Sequence, residues 1–163
     1  MDRDRRPDRD RDPGGRARNA RPRDALGRPL PHGAPGVPTM PEVPLPPEVA
    51  LAEAERLLAA GRPFHAHEVL EGAWKAAPDP ERELWRGLAQ LAVGLTHAAR
   101  GNGVGASRLL LRAADRVAPY AGTAPHGVPV EALVAWARDL AGRIDREGPG
   151  GLPASALVPR LTD

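Results

Sequence analysis

A chain of 163 residues without cysteine is sized for one domain and has neither disulfides nor thiolate chemistry to draw on. Its pI of 9.9 invites a nucleic-acid partner, but residues 1–28 carry ten arginines and six aspartates, a net +4, while residues 29–163 are net −2. The charges of the first segment alternate in sign, unlike a nucleic-acid arm; no apolar run approaches the ~20 residues that span a bilayer, and the charged start lacks a signal-peptide core.

These features predict a cytoplasmic protein with no nucleic-acid or membrane partner. Residues 1–46 are rich first in Arg and Asp, then in Pro, and cannot bury enough surface to offset chain entropy. They read as a disordered extension. A helical domain is expected over 47–148, with a loosely docked tail over 149–163.

Within the domain, Pro46-Pro47-Glu48 opens a first helix. Val49, Ala52, Leu57 and Leu58 suggest its apolar face, and Gly61 its end. Pro63 starts a second helix over 63–77. Asp79 is placed to cap a third, over 80–100, where Leu84, Leu88, Leu91, Leu95 and Ala98 step by four and three. Gly101-Asn102-Gly103 is a tight turn that caps both neighbouring helices. A fourth helix, 104–118, puts Ala106, Leu109, Leu110, Ala113 and Val117 on one face, with Arg108, Arg112 and Asp115 on the other. Residues 119–129 form a loop. A fifth helix, 130–147, carries a stripe of Leu133, Trp136, Ala137, Leu140 and Ile144.

No stretch alternates with period two, so the fold class is all-α: about five antiparallel helices in a bundle or array of helical hairpins. The pattern Ala66, Leu70, Ala73, Pro78 recurs as Ala106, Leu110, Ala113, Pro119, an echo about 40 residues on. Trp74, Trp85 and Trp136 are expected to anchor the packing.

Four polar side chains interrupt the apolar faces. On a wheel of about 100° per residue, His67 and Glu71 share an arc of about 80° with Phe64 and Trp74. His65 lies further round and is expected to face solvent. On the third helix Gln90 and His97, seven apart, nearly superpose. If the second and third helices face each other, these four converge.

Here the sequence resembles a known family. Phe64, His67-Glu68, Leu70, Glu71 and Trp74, then Gly87, Gln90, Ala92, His97, Arg100-Gly101-Asn102 and Gly105-Ala106 resemble domain-of-unknown-function family 309. The resemblance covers about 50–118 and implies a small all-helical prokaryotic fold. It implies no activity, substrate or catalytic residue.

Three readings of the cluster follow. As a buried polar network, His67, Glu71, Gln90 and His97 satisfy one another and fix helix register. As a pocket, they read a small-molecule or protein partner. As a metal site, His67-Glu68-Val69-Leu70-Glu71 is one residue from HExxH; His67, Glu71 and His97 would ligate a divalent metal and Glu68 would act as base in a hydrolase. A non-catalytic domain needing no cofactor is the expectation and the hydrolase the alternative. Arg108 and Arg112 mark a second candidate interface, and phosphate binding at the glycine-rich turn lacks the preceding strand it requires.

Overall fold

The structure, a computed structural model, describes residues 45–162. The extension expected over 1–46 therefore falls, but for its last two residues, outside the described residues. Five α-helices follow in order: α1 Pro47–Ala59, α2 Pro63–Ala76, α3 Arg82–Ala99, α4 Gly103–Val117 and α5 Val130–Glu147. Among the described residues there is no strand, and no helix is long and apolar enough to cross a membrane. Each helix packs chiefly on its neighbours in sequence, α3 on α4 most closely, giving an array of antiparallel hairpins.

Short connections enforce that order. Gly61, at φ 72°, ends α1, and the Arg62 amide returns to the Leu57 carbonyl at 2.9 Å while Gly61 N–H donates to Leu58 at 3.1 Å. Gly101, at φ 84°, ends α3 through the same pair of bonds, from Asn102 to His97 and from Gly101 to Ala98. A left-handed residue at this position costs glycine nothing. A short 3-10 turn, Asp79–Glu81, precedes α3. Glu81 rather than Asp79 stands at the helix N-cap, and no side chain caps it.

The α3–α4 seam is tight because α3 offers two glycines one heptad apart. A β-carbon at Gly87 would stand 2.7 Å from Val117 Cγ2, and one at Gly94 would stand 3.3 Å from Leu110 Cγ. Leu84, Leu88, Leu91, Leu95 and Ala98 are all buried, as the periodicity requires. Trp85 beside them is 1% exposed, whereas Trp74 and Trp136 are only half-buried. The 40-residue echo has a structural meaning. Ala66, Leu70 and Ala73 of α2 and Ala106, Leu110 and Ala113 of α4 are all buried on helices that flank α3.

Two expectations about faces fail. On α1 the buried residues are Ala50, Leu51, Ala54, Leu57 and Leu58, while Val49 is 49% exposed and Ala52 is exposed. With four Ala and three Leu spread round it, the sequence of α1 supports more than one stripe, and packing on α2 selects between them. On α2, His65 is 1% exposed, not solvent-facing. It shares its side of the helix with Val69, which is also buried.

The segment after α5 returns to α1. Leu161 is fully buried, Pro159 is buried, and the chain there is bonded back to Glu55 of α1.

Candidate functional site

The second helix sets a polar ladder along its edge. His67 Nε2 lies 3.3 Å from Glu71 Oε2, and Lys75 Nζ lies 3.1 Å from Glu71 Oε1, each pair four residues apart. The Phe64 ring sits 5.8 Å from the His67 ring. Burial pushes the His67 pKa below its ordinary value; Glu71 pulls it up, Lys75 pushes it down, and the net is a fall. A neutral imidazole with Nε2 facing a carboxylate carries its proton on Nε2. Its Nδ1 is then a lone-pair acceptor. That atom is closed to solvent and has no hydrogen-bond partner among the described residues.

The third helix supplies the facing groups. The Arg86 guanidinium lies over the Trp74 ring at 5.7 Å, which fixes the axial register of α2 against α3. Gln90, one turn on from Arg86, is therefore level with Leu70 and Glu71, one turn back from Trp74. Gln90 Oε1 is likewise closed to solvent without a partner, as are Nε and Nη2 of Arg62 at the start of α2.

His97 is elsewhere. It lies seven residues from Gln90, about 10 Å along the helix axis, a separation that a helical wheel projects away. Its Nδ1 receives the Asn102 side-chain amide at 3.0 Å. Asn102 is the N-cap of α4, and its Oδ1 accepts from the Gly105 amide at 3.1 Å. That bond fixes the amide orientation, so Nδ2 donates to His97. A β-carbon at Gly105 would stand 2.6 Å from Asn102 Nδ2. His97, Gly101, Asn102 and Gly105 thus form one joint between α3 and α4. Truncating His97 to alanine removes one hydrogen bond at this exposed turn and is expected to cost about 0.5–1.5 kcal/mol, read by denaturant unfolding, with α4 intact.

Of the four residues expected to meet, His67 lies beside Glu71, His97 lies at the turn, and Gln90 is level with the pair only by the register that Arg86 and Trp74 set. Among the described residues no three His, Asp or Glu side chains are grouped to hold a metal ion, so His67, Glu71 and His97 do not form the ligand set. Glu68 is half-exposed on α2. Arg108 and Arg112 are exposed, as expected.

A second polar centre escaped the sequence reading. His126 lies in the loop between α4 and α5, with Nε2 2.5 Å from Glu81 Oε1 and Nδ1 3.3 Å from Glu48 Oε1. Trp85 Nε1 also donates to Glu81 Oε1, at 3.3 Å, and the Tyr120 hydroxyl donates to the Pro80 carbonyl at 2.6 Å. The loop is strained: Ala124 and His126 have φ of 40° and 56°. Such conformations persist where surrounding bonds over-determine them. No periodicity flags a loop histidine, and its partners lie 45 and 78 residues away.

Burial would lower the His126 pKa, but the hydrogen bonds to Glu81 and Glu48 outweigh it and raise the value above 6.5. A raised folded-state pKa gives stability that is complete below the unfolded value and is lost as pH rises through the folded one. The deficit of His126→Ala relative to the unaltered chain is therefore expected to be larger at about pH 5.5 than at about pH 8.5, measured as the difference in Tm.

Comparison with known proteins adds lineage. Residues 51–109 match the family model described as Domain of unknown function (DUF309). The chain is 48% identical over 48 residues to the Uncharacterized protein YpuF of Bacillus subtilis (strain 168), an overlap of 29% of this chain and 28% of that protein. The match thus spans under a third of that relative's length. No solved structure matches.

Proposed function

We propose, from the premise that residues 51–109 are a DUF309 domain, that the chain is a non-catalytic recognition module. Its ligand is a small-molecule or peptide group bearing N–H donors, and it docks at the α2–α3 seam. What carries this reading is the pair of buried, unpartnered acceptors, His67 Nδ1 and Gln90 Oε1, on the helices that form the seam. A buried acceptor without a donor costs about 1–3 kcal/mol. A donor from a ligand would return that energy as affinity, which gives the chain a reason to keep polar groups where leucine would fit.

The chemistry also selects the ligand. Both groups accept, so at His67 Nδ1 and Gln90 Oε1 a carboxylate has nothing to bind, whereas an amide N–H or a guanidinium does; the Arg62 donors stand apart from them, at the start of α2. The test is an amide-resolved NMR titration with N-methylacetamide and methylguanidinium as donor probes and acetate as an acceptor-only control. The donor probes are expected to shift amides in 64–74 and 86–97, acetate to leave them unmoved, and Gln90→Leu to abolish the response. Equal shifts from all three, or none from the donors, would overturn the reading.

A further inference from the structure

A single carboxylate on α1 holds three donors of the segment that follows α5. Glu55 Oε1 accepts from the Leu161 amide at 2.8 Å and the Thr162 amide at 3.3 Å, and Oε2 accepts from the Thr162 hydroxyl at 2.9 Å. Two successive backbone N–H groups and one hydroxyl are read by one side chain. Between them the Leu161 side chain is fully buried. Glu55 stands on α1 about 40° round from Leu51 and about 60° from Leu58, at 100° per residue, and both leucines are buried. A carboxylate that accepts successive main-chain N–H groups beside a fully buried leucine can grip a peptide: main-chain bonds give affinity and the buried side chain gives selectivity.

The segment hangs on a glycine-rich joint. It is joined to α5 through Gly148-Pro149-Gly150-Gly151, with Gly148 at φ 74°. Residues 158–162 belong to no helix, and α1, at the edge of the array, packs chiefly on α2 alone. We propose that Glu55 with Leu51 and Leu58 forms a peptide-binding socket that residues 158–162 fill in cis, and that a partner segment carrying leucine followed by threonine or serine displaces this strap. The strap then lowers the apparent affinity of the socket by the fraction of time it is closed. The site lies on α1, away from the α2–α3 seam, so its fate is independent of the function proposed above.

The test uses the full chain with Leu161→Asp, which expels the strap, and a fluorescein-labelled peptide of residues 155–163 as the probe. Fluorescence anisotropy is expected to give binding to Leu161→Asp at least about tenfold tighter than to the unaltered chain. Adding Glu55→Ala should remove it, and so should Leu161→Ala within the peptide. Binding that is absent, equal in the unaltered chain, or indifferent to Glu55→Ala overturns the proposal. Where circular dichroism shows that Leu161→Asp has not folded, hydrogen exchange on the unaltered chain decides. The Leu161 and Thr162 amides should exchange at least about tenfold faster than the buried α3 amides if the strap opens by itself. Exchange at the α3 rate makes the strap part of the core and ends the proposal.

Discussion

Replacing Trp85 by alanine is expected to destabilise the fold by about 3–5 kcal/mol, the range for emptying a fully buried aromatic site. Trp85 is 1% exposed and is the largest fully buried side chain. It also does more than fill volume. Its indole N–H donates to Glu81 at 3.3 Å, and Glu81 receives His126 on the same oxygen. The Trp85 and His126 rings lie 6.0 Å apart. Losing Trp85 therefore opens a cavity at the base of α3 and removes one of the groups that hold the Glu81 carboxylate for the loop. Against a total stability of about 5–15 kcal/mol, such a loss leaves a marginal protein. Trp85→Phe separates the two contributions. It keeps most of the volume and loses the N–H, so a cost near that of one hydrogen bond, about 1 kcal/mol, is expected. Urea unfolding of both variants measures the difference, and equal costs would show that the indole N–H, not the volume, dominates.

Gln90→Leu is expected to move stability the other way. Gln90 Oε1 is buried and accepts from none of the described residues. Leucine is of similar size, adds no polar atom, and suits the interior of α3, so the substitution removes a desolvation penalty of about 1–3 kcal/mol. For a domain of this size each kcal/mol corresponds to about 4–8 °C in Tm. A gain in Tm together with loss of the donor-probe response is the mark of a residue kept for binding at the expense of stability. A fall in Tm would instead make Gln90 part of a satisfied internal network and would remove the basis of the proposed function. The same melt across pH reports on His67. Its lowered folded-state pKa gives stability that is complete above pH 6.5 and is lost as pH falls below it, opposite in sign to His126.

Much of the fold was legible because it rests on local rules. Helix period, prolines at the first turns of α1 and α2, and glycines past the ends of α1 and α3 fix the five elements and their order. The leucine row of α3 needed no structure to be found. Alanine-rich helices were the weak point. On α1, alanine is compatible with burial and exposure alike, so Val49 and Ala52 could not be told from Ala50 and Ala54 without α2 in place.

The candidate site was half legible for a different reason. A wheel resolves angle and discards height. It therefore joined His97 to Gln90 although about 10 Å of helix separates them, and it gave a catalytic flavour to a histidine that braces a turn. Nothing local announces Glu81, Glu48 and His126 as partners, because what unites them is the end of the array at which the α2–α3 and α4–α5 connections meet the start of α1. A wheel sets His65 beside Val69, and only the packed array shows that this side of α2 is buried.

The strap has one consequence that concerns time rather than binding. Every major helix contact in this array joins neighbours in sequence, so the helices can zip pair by pair with little loop-closure entropy, the topology of fast folders. The Glu55–Leu161 contact spans 106 residues and can close only when the array is already assembled. A late place on the folding path is the expected result: weakening the contact should accelerate unfolding while leaving the folding rate nearly unchanged, as stopped-flow measurement of Glu55→Ala would show. On that expectation, residues 158–162 lengthen the lifetime of the folded chain without hastening its formation.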